Sequence, residues 1–271
     1  MPDTAPIDPA GWKVIEEYEA RAQRDEALWN TLTEEEIRRR LDEFLLPVGR
    51  AAATLMNLIV KEGTARRILE VGSSYGYSTI WLAEAARAIG GKVVSLELRP
   101  AKTEYARTQL ARVQLDSLVE FRVGDALDSL AQLPGPFDFV LIDLWKDMYV
   151  PVFERLYPKL APGAVIVADN MLQPESSRPH ARAYRERVRA AADMSSVLLA
   201  VGNGLEVSRY RCVRSLRACC ACPRCESSAR VRGRFPRCRR HACRRRAADR
   251  CPGFSADARG QRRAAAAHSW S

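Results

Sequence analysis

Residues 1–211 contain no cysteine; all eight cysteines fall at position 212 or beyond. That long first part therefore holds no disulfide staple, no thiolate nucleophile and no cysteine metal site. It has a single histidine, His180, beside the polar stretch Gln173–Pro179, so a solvent-facing side chain is expected there and histidine-centred catalysis is not. No run of roughly 18 apolar residues marks a membrane span. No charged-then-apolar leader opens the chain, which reads as cytoplasmic. The GxGxxG dinucleotide pattern is also missing, which argues against a nicotinamide or flavin enzyme.

Positive charge is scarce where the total suggests plenty. The 271 residues carry a formal charge of +10. From Cys212 onward there are 16 Arg, no Lys and only Glu226, Asp249 and Asp257 as acids, a local balance of +13. Residues 1–211 are thus mildly acidic, and a nucleic-acid-binding basic face on that part is not supported. The last 60 residues include 36 Ala, Arg or Cys and lack Ile, Lys, Met, Asn, Thr and Tyr altogether. Such a segment has too little to bury and is expected to be disordered. Three readings compete for it. Cys219-x-x-Cys222, Cys222-x-x-Cys225 and Cys238 to Cys243 around His241 have zinc-like spacing. The arginines suit an RNA-binding arm. The absence of residues with AT-rich codons favours a third reading, an out-of-frame extension of a GC-rich gene. The organisation is then a helical arm or cap at 1–46, a main domain at 47–211, and the tail at 212–271.

Residues 1–10 hold three prolines and read as a loose arm. Trp12, Ile15, Tyr18 and Ala22 have helical spacing, predicting a helix from Trp12 to Leu28. Thr33-Glu34-Glu35-Glu36 has the form of a capping box for a helix through Phe44. Pro47 suits the start of a third helix, with Ala51, Leu55, Leu58 and Ile59 as its apolar face. From Arg67 strands and helices alternate. Strands are predicted at 68–71, 93–96, 119–123, 137–142, 164–168, 197–201 and 205–210. Helices fall at 78–89, 100–114, after Ala126, at 150–160 and at 181–191. This alternation predicts an α/β protein with a doubly wound, largely parallel, Rossmann-like sheet of about seven strands.

Two of these strands end on carboxylates. Phe137–Ile142 stops at Asp143-Leu144-Trp145-Lys146, and Ala164–Ala168 stops at Asp169-Asn170. Ligands of open α/β sheets gather beyond the carboxyl ends of the strands. If the two strands are neighbours, Asp143, Asp169 and Asn170 converge as hard oxygen ligands suited to Mg²⁺ or a similar ion. Lys146 beside them is then a candidate general base. Trp145 is either an apolar wall for a flat ring or core, and Tyr149 reads as packing. Between a strand and a helix, Gly72-x-x-x-Gly76 forms a tight turn that lets backbone approach a ligand. Glu97 ends the following strand, where a carboxylate can accept both hydroxyls of a ribose. Glu70 lies inside an apolar strand and needs a partner, either the positive end of a ligand or a cluster of backbone donors.

Taken in order, several segments resemble the cation-dependent O-methyltransferases of the catechol and caffeoyl-CoA type, which are class I S-adenosylmethionine-dependent methyltransferases. The segments are Glu70-Val-Gly72-Ser-Ser-Tyr-Gly76-Tyr-Ser78, Glu97, Gly124-Asp125-Ala126, Asp143-Leu-Trp-Lys146-Asp-Met-Tyr149 and Ala168-Asp169-Asn170. The resemblance runs from about Val48 to Tyr210. It implies that Gly72, Ser78 and Glu97 hold S-adenosylmethionine, with Glu70 and Asp143 near its amino-acid end. Val48, Asp125 and Ala126 would line the same pocket. Asp143, Asp169 and Asn170 would hold Mg²⁺ or another divalent cation such as Mn²⁺, and Lys146 and Asp143 would be catalytic. Trp145, Lys146 and Asn170 would meet the substrate, a small hydroxylated molecule expected to be an aromatic vicinal diol. The resemblance is compatible with a homodimer; no membrane or nucleic-acid partner is expected. Catechol enzymes have a further carboxylate that touches the substrate hydroxyl from a late strand. The matching place here falls near Val197, which counts against simple catechols. An alternative of another class is an RNA-binding protein or RNA methyltransferase that uses the basic tail. It is opposed by the acidic main part, and by the absence from residues 1–211 of cysteine and of an Asn-Pro-Pro-Tyr-like motif.

Overall fold

A computed structural model describes residues 7 and 9–211, so the expectations of disorder, a zinc site or an RNA-binding arm in the tail lie outside the described residues. Helix α1 (Pro9–Trp29) buries Val14, Ile15 and Tyr18. Helix α2 (Glu34–Arg40) starts on the expected capping box. Thr33 Oγ1 accepts from the Glu36 amide at 3.3 Å, and the Glu36 carboxylate accepts from the Thr33 amide at 2.9 Å. Such a cap stabilises a helix by about 1 kcal/mol. The helix ends before the predicted Phe44. Leu41–Glu43 tighten into a 3-10 turn, and Phe44 and Leu45 turn into the core.

Helix α3 (Arg50–Gly63) begins later than Pro47 suggested. Gly49 precedes it with φ +82°, a conformation that strains any residue with a Cβ. Its buried face also differs from the predicted one. Ala52, Ala53, Met56, Asn57 and Val60 point inward, whereas Ala51 and Leu58 are exposed. Apolar residues occur almost all round this helix, so periodicity could not choose the face. Asn57 is fully buried; its amide nitrogen donates to Trp81 O at 2.9 Å and to the Glu84 carboxylate at 2.7 Å, while its Oδ1 has no hydrogen-bond partner among the described residues.

The alternating part follows as β1 (Arg67–Val71), α4 (Tyr77–Ile89), β2 (Lys92–Glu97), α5 (Pro100–Arg112), β3 (Val119–Val123), α6 (Ala126–Gln132), β4 (Phe137–Ile142), α7 (Tyr149–Leu156), β5 (Leu160–Ala168), α8 (Arg178–Arg189), β6 (Met194–Leu199) and β7 (Leu205–Tyr210). The strands form one seven-stranded sheet in the order β3-β2-β1-β4-β5-β7-β6. The first five are parallel; β7 runs antiparallel between β5 and β6. Strand β6 starts and ends earlier than predicted, because Val201–Gly204 form the hairpin turn, with Gly204 N donating to Val201 O at 3.0 Å. Strand β5 starts earlier, at Leu160, after a 3-10 turn through Tyr157–Lys159.

Successive strand residues face opposite layers. Phe139 and Leu141 of β4 pack with α1, α3, α4 and α5, while Val140 and Ile142 pack with α6, α7 and α8. Each such fully buried side chain contributes about 1.5–3 kcal/mol. Strand order reverses between β1 and β4, the kind of switch point at which ligands of open α/β sheets gather. Among the described residues no helix is long and apolar enough to cross a membrane.

A candidate active site at the carboxyl ends of the strands

Backbone hydrogen bonds between adjacent strand ends set the predicted residues side by side. Gly124 N donates to Glu97 O at 3.0 Å, Gly72 N to Leu96 O at 2.9 Å, Asp143 N to Val71 O at 2.9 Å and Asp169 N to Ile142 O at 3.1 Å. Gly72, Glu97, Asp125, Asp143 and Asp169 are therefore gathered along one edge, as the sequence pattern required.

On the β1–β2–β3 side, the chain engages its own polar groups. A Cβ at Gly72 would lie 2.0 Å from the Asp143 carbonyl oxygen, and its φ is +94°. Glycine is required there so that the loop can lie against the end of β4. Glu97 accepts from the Ser74 amide at 2.8 Å and the Arg99 amide at 2.9 Å, pinning that loop to β2. Glu70 is fully buried, and among the described residues its partners are side chains rather than a cluster of backbone donors. They are three hydroxyls, Ser78 Oγ at 2.7 Å, Thr79 Oγ1 at 2.6 Å and Ser95 Oγ at 2.6 Å. Burial pushes its carboxyl up to about 7 against the opposing pull of these donors. Ser78 is thus directed at Glu70, and Val48 is buried in the core. Asp125 caps α6, accepting from Leu127 N at 2.7 Å and Asp128 N at 3.2 Å. Ala126 opens that helix. A depression of about 320 Å³ lies here, lined by Arg122, Gly124, Asp125, Asp128 and Gln132. The half-exposed Leu98 and Val123 add apolar surface at the ends of β2 and β3.

The β4–β5 side differs. Asp169 is 1% exposed, and its Oδ1 is buried with no hydrogen-bond partner among the described residues. Burial, then the neighbouring Asp143 charge, pushes its carboxyl up to about 8. Burial also raises the Asp143 carboxyl, opposed by Lys146. Among the described residues no group of three or more His, Cys, Asp or Glu is placed to hold a metal. The set here is two carboxylates with Asn170, whose backbone takes the left-handed φ of 54° directly after Asp169. An unpartnered carboxylate oxygen next to a second carboxylate fits a hard divalent cation, which would relieve the cost of both buried charges. Lys146 Nζ lies 2.6 Å from Tyr149 Oη, 3.0 Å from Leu144 O and 3.4 Å from Asp143 Oδ1. Trp145 is 58% exposed, which excludes the core reading.

Two residues escaped the sequence reading. Tyr149 is more than packing: its hydroxyl contacts Lys146 and donates to Asp169 O at 3.2 Å. Its place three residues after Lys146, at the start of a helix, was the available signal. The second is Glu206. Val197, the expected late-strand position, is half-exposed on the edge strand. A late-strand carboxylate does exist, since Glu206 pairs across β7 with Ala168, the residue before Asp169. It is fully buried, accepting from Arg189 at 2.8 and 3.0 Å and from Ser196.

Residues 69–171 match a family model described as a methyltransferase domain. The chain is 46% identical over 110 residues to the catechol O-methyltransferase of Mycobacterium tuberculosis, covering 40% of this chain and 50% of that protein. It is 38% identical over 122 residues to the catechol O-methyltransferase of Niastella koreensis, covering 44% and 55%. The chain thus spans about half the length of these curated relatives. Among solved structures, an O-methyltransferase from Bacillus cereus in complex with SAH aligns with TM-score 0.61 and 29% identity, over 77% of this chain and 94% of that one. Residues 69–171 are thus similar to a methyltransferase domain, and catechol and caffeoyl-CoA O-methyltransferases are among the proteins that the chain resembles.

Proposed function

We propose that this protein is an S-adenosylmethionine-dependent O-methyltransferase that needs a divalent cation and methylates one hydroxyl of a small acceptor, an aromatic vicinal diol. The observation that carries the reading is the buried, unpartnered Asp169 carboxylate oxygen beside Asp143 and Lys146. The alignment with a relative in complex with SAH supports the cofactor.

Bound S-adenosylmethionine would supply an electrophilic methyl group, and a divalent cation would gather the acceptor oxygens and favour their ionised form. Asp143, Asp169 and Asn170 are the residues that would hold the cation. Gly72, Glu97 and the Gly124–Ala126 turn form the edge available to the cofactor, with Leu98 and Val123 as apolar surface for a flat ring. Lys146, as the uncharged amine, takes the acceptor proton: the O–H bond breaks, an N–H bond forms, and the oxygen electron pair is free to attack. The exposed indole of Trp145 offers an apolar wall to an aromatic acceptor. Positioning of two reactants supplies much of the rate in such a site, with roughly 7–11 kcal/mol available.

The test is methyl transfer from labelled S-adenosylmethionine to catechols and caffeoyl-type diols, with Mg²⁺, Mn²⁺ or EDTA. Turnover lost with EDTA and with Asp169→Ala is the expected result. EDTA-resistant turnover would overturn the cation requirement, and failure to bind S-adenosylhomocysteine would overturn the reading as a whole.

A further inference from the structure

We infer that Tyr149 is a positioning residue that aims Lys146 at the acceptor, an inference that rests on Lys146 being the group that takes the proton. Tyr149 is fully buried at the start of α7, with its ring edge-on to Tyr184 at 5.5 Å and 81°. Its hydroxyl proton is committed to Asp169 O at 3.2 Å. Toward Lys146 the phenol oxygen is therefore an acceptor, and it takes an N–H from Nζ at 2.6 Å. Leu144 O, which can only accept, takes a second N–H at 3.0 Å. A third contact, Asp143 Oδ1 at 3.4 Å, lies on the side of the two carboxylates, so the nitrogen is held beside them rather than in solvent.

The same hydroxyl performs a second task. It ties the lysine to the carbonyl of Asp169 and thereby links the ends of β4 and β5 through one rigid ring. Without the hydroxyl, Nζ would lose its shortest contact, keep only Leu144 O at 3.0 Å and Asp143 Oδ1 at 3.4 Å, and shift on its four-carbon stem.

The experiment is a double-mutant cycle on the full chain with S-adenosylmethionine, Mg²⁺ and a catechol, using Tyr149→Phe, Lys146→Met and the double variant. Tyr184→Phe serves as control; that ring belongs to the same cluster, but its hydroxyl has no partner among the described residues. Phe preserves the ring packing at both tyrosines. Tyr149→Phe is expected to lower kcat by roughly 10- to 100-fold, the scale of a misplaced reacting group, with acceptor KM within about twofold. S-adenosylhomocysteine affinity, measured by calorimetry, should hold. The double variant should be no slower than Lys146→Met, because the tyrosine acts through the lysine. Additive losses, or lost S-adenosylhomocysteine binding in Tyr149→Phe, would show a merely structural role and overturn the inference. A slow Lys146→Met with Tyr149→Phe at full rate would overturn it while leaving the base in place. Full turnover by Lys146→Met would remove both.

Discussion

The two halves of the strand-end edge treat their carboxylates in opposite ways. On the β1–β2–β3 side, Glu70 has three hydroxyls, Glu97 two amides and Asp125 two amides, all supplied by the chain. On the β4–β5 side, Asp169 keeps a buried oxygen with no partner among the described residues, and its neighbour is another carboxylate. A buried acceptor that is satisfied rigidifies the fold; one left alone is costly unless something else arrives. The first half is a finished scaffold for a loop, and the second is a site that the fold tolerates at a cost.

The sharpest way to break this contrast is Asp169→Asn. Turnover should fall by more than about 100-fold, beyond the range seen for groups that merely support a metal ligand. Above about pH 8, where the Asp169 carboxyl is ionised, the cation-free chain should melt at a higher temperature than the parent, because an unfavourable buried charge is gone. A lower melting temperature would mean that Asp169 belongs with the satisfied carboxylates after all. Glu70→Ala is next. It strands three buried hydroxyls at about 1 kcal/mol or more each, so urea unfolding should show a loss of roughly 3 kcal/mol. An unchanged midpoint would erase the distinction from the other side.

Glu97→Gln should weaken S-adenosylhomocysteine binding by about tenfold, since an amide has one acceptor oxygen where the carboxylate uses two. Calorimetry reads this directly. A last effect concerns pH. The Glu70 carboxyl sits at about 7 in the folded chain against an ordinary 4.5, so the native state binds the extra proton between those values. Its contribution to stability is therefore largest below about pH 4.5, declines as pH rises through 7, and is constant above. Glu70→Gln should flatten that slope in a series of unfolding curves; an unchanged slope would assign it to other groups.

Much of this edge was legible beforehand because strand ends in a parallel sheet are a consequence of pattern. Apolar runs that stop at Glu97, Asp143 and Asp169 announce where the strands finish, and the right-handed crossover rule brings those ends together. What stayed hidden depended on registers finer than pattern resolves. The late-strand position was sought near Val197 on β6, where no carboxylate stands; Glu206 lies on β7, whose bounds were predicted as 205–210, and only its pairing with Ala168 brings it near Asp169. Tyr149 looked like packing because its ring is packing; only its hydroxyl has a second use.

By itself the sequence determined the seven strands, their alternation with helices and the acidic strand ends, since these follow from periodicity and from the short range of backbone preferences. The tertiary structure decided which face of α3 is buried, which hydroxyls surround Glu70 and which oxygen of Asp169 is left over. The surroundings of Glu70, for example, depend on residues that lie 8, 9 and 25 positions away and meet it only when helices and strands pack. Local sequence fixes what a segment becomes; the partners of a buried polar atom are chosen by every segment at once.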